Sequence, residues 1–146
     1  MEQFNIEQKE MFALLTPNQI AEISEIAIIK DFESGQIVFD QNEIANNLFI
    51  LLEGEISLRH PGRSDLSTST FSLEIENIVN YGTVFGPNSL FGVDRYFTRA
   101  RVMVQSKVMI LDSKKFIEII QKNGSEFIVM KYLAKVYFQR YINAMK

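Results

Sequence analysis

The chain has 146 residues, 47% hydrophobic and 12% aromatic, with a formal charge of −3. That is the composition of one packed globular domain, and its acidic balance argues against DNA binding by this chain alone. With no cysteine and one histidine, His60, it excludes disulfides, thiolate or multi-histidine metal sites and cysteine nucleophiles, and no cofactor is expected.

The first residues, Met1-Glu2-Gln3-Phe4-Asn5, carry acid where a secretory leader carries base. Apolar runs are only a few residues long, against roughly 18 for a membrane helix, so a soluble, cytoplasmic protein without a membrane span is expected. Residues 7–27 read as helix in two pieces. Thr16 is placed to cap, Pro17 suits the first helical position, and Gln19 completes a capping box. Ile20, Ile23 and Ala27 recur at helical spacing, opposite Glu22 and Glu25.

From Ile28 the pattern shortens into apolar runs broken by Gly, Asn and Asp: 28–32, 37–39, 47–52 and 56–59. Such spacing predicts an all-β barrel or sandwich. Residues 60–70 are polar and read as an exposed hairpin loop containing His60. Phe71, Leu73 and Ile75 then alternate with Ser72, Glu74 and Glu76, which places both acids on a solvent face. Glu53 and Glu55 read the same way.

Residues 81–92 hold three of the seven glycines. Ala100, Val102 and Val104 alternate with Arg101 and Met103, and 108–111 forms a last strand. Asp112 or Ser113 opens a helix that stops near Asn123-Gly124, and Ser125 caps a final helix to Lys146.

The strings Phe12-Ala13-Leu14-Leu15-Thr16-Pro17, Gly35-Gln36-Ile37-Val38-Phe39, Leu48 through Ile56, Gly82-Thr83-Val84-Phe85-Gly86 and Val108 through Leu111, in that order, resemble the cyclic-nucleotide-binding domain family. Its best-known bacterial branch comprises the catabolite activator and fumarate–nitrate regulators. The resemblance implies a mainly β fold, an eight-stranded double-stranded β-helix (jelly roll), as a single domain over 1–146. Residues 1–27 would be the N-terminal helices, 28–111 the barrel and 112–146 the C-terminal helix pair. It further implies a phosphate-binding loop after Phe85-Gly86, where the family places a Glu next and an Arg some ten residues on. Here those positions hold Pro87 and Thr98, with Arg99 adjacent and Arg95 within reach of the loop. The expected reading is a non-enzymatic sensor domain for a small anionic ligand other than cAMP or cGMP, signalling through its C-terminal helix. The alternative is a ligand-free module for dimeric protein interaction.

Candidate ligand contacts are Phe85, Gly86, Asn88, Ser89, Leu90, Thr98 and Arg99, with Tyr137 and Tyr141 as a lid over the barrel mouth. For Arg101, a solvated strand position is expected. Phe127, Met130, Ala134, Tyr137, Tyr141 and Ala144 follow 3-4-3-4-3 spacing, a heptad seam, and Val129, Leu133 and Val136 form a second apolar face. A helix apolar on two faces predicts a homodimer through the C-terminal helix. Regulators of this family carry a helix-turn-helix beyond that helix, and this chain is expected to be a stand-alone domain without one. No catalytic residue is expected.

Overall fold

The computed structural model describes residues 10–61 and 73–146. A 3-10 turn (Glu10–Leu14) leads into α1 (Pro17–Ile26). The capping box forms: the Gln19 N–H donates to Thr16 Oγ1 at 3.2 Å, and the Thr16 N–H donates to Gln19 Oε1 at 2.9 Å. A cap of this kind is worth about 1 kcal/mol. Residues 7–9 of the expected helix, and the stretch 62–72 with Phe71 and Ser72, lie outside the described residues.

Eight strands follow: β1 (Ile28–Phe32), β2 (Ile37–Phe39), β3 (Asn47–Glu53), β4 (Ile56–His60), β5 (Leu73–Ile78), β6 (Val84–Phe85), β7 (Arg99–Val102) and β8 (Ser106–Asp112). They form two four-stranded antiparallel sheets, ordered β1-β8-β3-β6 and β2-β7-β4-β5. The chain ends with α2 (Ser113–Lys122) and α3 (Glu126–Ala144). The expected β-rich double sheet with flanking helices is the observed one.

Alternation along β3 explains the layering. Leu48 and Ile50 join Met11, Phe12, Ile23, Met109, Phe116, Val129 and Leu133 in a core between the first sheet and the helices. Phe49 and Leu51 point the other way, into a second core between the sheets with Phe39, Ile56, Phe85, Ala100 and Val108. The two cores meet at α3. Its Val129 and Leu133 lie in the first, while Tyr141 and Ala144 pack against the second.

Several local expectations need correcting. Val104 is not an inward strand residue: β7 ends at Val102, residues 103–105 bend, and Val104 is exposed. The Ser125 hydroxyl makes no capping bond to α3 and instead accepts from Gln19 Nε2 at 2.8 Å, joining α1 to α3. His60 is the half-buried last residue of β4, its Nε2 3.4 Å from Gln41 Nε2, not a free loop residue. In β5 the register shifts opposite Leu58 and Arg59. Ile75 and Ile78 are therefore the buried positions, Leu73 is exposed, and Glu76 lies opposite the buried Leu58 instead of on a solvent face.

Candidate functional site

After β6 the chain turns sharply at Gly86, whose φ is +69°. A Cβ there would lie 2.8 Å from a Phe39 ring carbon and 3.0 Å from one of Phe49, so both backbone and space demand glycine. Behind this turn, rings fill the space between the sheets. Phe39 stacks on Tyr96 at 4.0 Å and on Phe49 at 5.3 Å, and Phe49 stacks on Phe85 at 5.5 Å. The Tyr96 hydroxyl donates to the Asn47 carbonyl at 2.7 Å, and burial pushes its pKa up to about 12.

Pro87 opens a single 3-10 turn, Asn88–Phe91, closed by Gly92 in the left-handed region. Asn88 is buried; its Nδ2 donates to the Arg95 carbonyl at 3.1 Å, and its Oδ1 accepts from the Tyr137 hydroxyl at 3.3 Å. Ser89 Oγ is buried without a hydrogen-bond partner, and Leu90 packs into the helix-side core. Thr98 is buried in the bend just before β7.

Arg99 shares a face of β7 with the exposed Arg101, opposite Ala100 and Val102, which are fully buried. Its Nε donates to Asp40 Oδ1 at 2.9 Å, and that bond holds the Asp40 carboxyl below its ordinary value of 3.8. Arg59 stands directly opposite Arg99 on β4, and these arginines line a shallow cleft of about 170 Å³ with Ser57. Arg95 turns to the Asn42 carbonyl at 2.8 Å. The structure thus gathers Gly86, Asn88 and Tyr137 and leads Arg99 away from them.

Tyr137 and Tyr141 pack ring to ring at 5.2 Å, and burial raises both hydroxyl pKa values. Tyr141 also stacks on Phe97 at 5.5 Å. Together with Phe91, Ala134 and Phe138 they line an apolar groove of about 430 Å³ along α3. Of the six seam positions, Phe127 is 77% exposed, whereas Met130 packs on the helix-side core and Tyr141 and Ala144 on the inter-sheet core. The exposed apolar residues of α3 are Phe127, Ile128, Phe138, Ile142 and Met145 with its cap.

Sequence reasoning passed over one group. Arg140 is 2% exposed, and its Nη2 donates to the Val84 carbonyl at 3.0 Å while Nε lies 3.3 Å from Glu76 Oε1. The signal for it was a cation on the apolar side of α3, one to two turns from Leu133, Val136, Tyr137 and Ala144. Among the described residues, no three metal-ligating side chains gather and no helix is long and apolar enough to cross a membrane.

The sequence profile described as "Cyclic nucleotide-binding domain" matches residues 29–123. The chain belongs to the cyclic nucleotide-binding domain family. Among solved structures, this domain is similar to a putative cyclic nucleotide-binding protein from Geobacter metallireducens. The identity is 26% and the TM-score 0.74, over 94% of this chain and 98% of that one. It shares its fold with the sensor domain of the transcriptional regulator DNR from Pseudomonas aeruginosa, at 21% identity and TM-score 0.71, over 92% and 89% of the two chains. The catabolite activator protein of Thermus thermophilus matches at 18% identity and TM-score 0.71 over 92% of this chain and 59% of the activator. No curated protein sequence matches the chain. By family and fold it is a cyclic nucleotide-binding-like regulatory domain.

Proposed function

We propose that this domain is a non-enzymatic cytoplasmic regulator that answers a small anionic ligand other than cAMP or cGMP and works as a homodimer through α3. The observation that carries this reading is the Tyr137–Asn88 hydrogen bond, which ties α3 to the turn after Gly86. Any change at that turn is transmitted to a helix whose outer side still exposes Phe138 at 73%.

The family's pattern places an acid directly after Gly86 and an arginine near the start of β7. Pro87 has no N–H and no carboxylate, and Thr98 carries no charge. A hydrogen bond to a charged group is worth about 1.5–3 kcal/mol, so two such losses weaken a cyclic nucleotide by roughly a hundredfold or more. The dimer reading rests on the groove beside α3. Phe91, Phe97 and Phe138 project there, and a second copy of α3 related by a two-fold axis would cover the same aromatic row on each subunit.

The ring stack behind Gly86 favours a second reading, a ligand-free interaction module, because it occupies the space between the sheets. Thermal melting of the chain against nucleotides, inorganic phosphate and di- and tricarboxylates separates the two. Stabilisation by an anion supports the sensor. A flat response across the panel, with a dimer that dissociates on dilution, supports the module. A monomer at every concentration contradicts both.

A further inference from the structure

Arg140 is the one charged side chain among the described residues that is buried. It lies where the two sheets leave a seam: β6 is the last strand of one sheet and β5 the last strand of the other. Its Nη2 reaches the Val84 carbonyl on β6, and its Nε reaches Glu76 on β5. Arg140 therefore bridges both edges from α3. The Tyr137 ring, one turn earlier, stands 5.9 Å from the guanidinium.

The bridge is incomplete. Nη1 is buried with no hydrogen-bond partner, and the Nε–Glu76 contact lacks hydrogen-bond geometry. A guanidinium cannot shed its charge by losing a proton, and a buried cationic donor without an acceptor is expensive. Glu76, one-third exposed, balances the charge on one edge of the fork and leaves the other edge unmatched. An oxyanion matches such an edge with parallel N–H bonds.

We propose that Arg140 is the anion grip of this domain, taking the phosphate or carboxylate group of a small ligand at the β5–β6 seam. The inference rests on the regulatory reading above and names the group that would read the ligand. It also supplies the coupling. Because Arg140 is 2% exposed, an anion reaches Nη1 only as α3 draws back from the seam, and Tyr137 with its bond to Asn88 moves with it. Ligand occupancy and the position of α3 are then one equilibrium.

The test is the melting temperature of the full chain in chloride buffer, titrated with sodium phosphate or with citrate at constant ionic strength. The native protein, Arg140→Lys, Arg140→Met and the surface control Arg101→Gln are compared. The expected result is a saturable rise of several degrees in the native protein, largely kept in Arg101→Gln, reduced in Arg140→Lys and lost in Arg140→Met. Phosphate alone, citrate alone or both acting identifies which oxyanion the grip prefers. An equal rise in Arg140→Met, a rise lost only in Arg101→Gln, or no saturable rise in the native protein overturns the proposal. Should Arg140→Met fail to fold, the Arg140 Nε–H resonance of the native chain decides. It shifts on phosphate addition if the grip is real, and stays fixed if a water molecule alone satisfies Nη1. Subunit association, followed by sedimentation, reports separately on the regulatory dimer.

Discussion

The Tyr137 hydroxyl donates to Asn88 Oδ1 across 49 positions of sequence, fastening the final helix to the turn that follows Gly86. Asn88 is fixed from its other side by the Arg95 carbonyl, so the link joins two ordered elements instead of a helix and a free loop. Tyr137→Phe keeps the ring and removes this bond together with the hydroxyl's hydrogen bond to Tyr141. It should destabilise the fold by about 0.5–1.5 kcal/mol, read by urea unfolding, and raise hydrogen exchange at the 88–91 amides. Unchanged exchange there would show that the bond does not couple the two elements.

Gly86→Ala should be far more damaging than its small size suggests. The added methyl meets Phe39 and Phe49 while the backbone stays in the left-handed region. Overpacking alone costs typically about 1–3 kcal/mol. Denaturant midpoints should show that loss, and a midpoint near that of the native protein would mean the ring stack yields easily.

The pair Arg99–Asp40 gives a pH signature. Asp40 has its carboxyl pKa lowered by the hydrogen bond from Arg99, so the pair's contribution is present above the unfolded value and is lost as pH falls through the folded one. As an exposed pair it is worth about 0.2–1 kcal/mol. Arg99→Gln should therefore melt slightly lower at neutral pH and match the native protein in strong acid. In a carboxyl titration of the variant, Asp40 should return toward 3.8.

At the alkaline end the sign reverses. Burial raises Tyr96 to about 12, so folding favours its protonated form. That contribution is complete below the unfolded value near 10 and is lost as pH rises toward 12. Melting temperature should fall above pH 10, less steeply in Tyr96→Phe, although that variant also loses the bond to Asn47. Equal slopes in the two proteins would contradict this assignment.

Phe138→Glu tests the exposed side of α3. At 73% exposure Phe138 supports little of its own fold, so the variant should melt near the native temperature yet sediment as a monomer. A dimer surviving this charge would move the interface elsewhere.

Local signals in the chain were readable where one interaction dominates. Thr16-Pro17-Asn18-Gln19 specified its own capping box, and alternation placed Ala100 and Val102 inside and Arg101 outside. Long-range pairings were not readable. The shift in β5 that puts Glu76 opposite Leu58 depends on how two strands align, and no period in the sequence encodes it. The 3-4 spacing on α3 marked apolar rows without saying which faces its own chain. Met130, Tyr141 and Ala144 pack inward, while Phe138, off the predicted seam, points out. Arg140 escaped notice because a helix cation, like Lys131 and Lys135 on the same helix, ordinarily lies in solvent, and only the meeting of β5, β6 and α3 buries it.

The most direct test of the account is a titration of the isotopically labelled chain with cAMP, followed at the amides of Gly86 and of Asn88 through Gly92. The predicted result is no saturable shift at micromolar cAMP, because Pro87 and Thr98 stand where the family's pattern places its acid and its arginine. Tight saturation with shifts centred on those amides would contradict it, and would make this a conventional cyclic-nucleotide receptor.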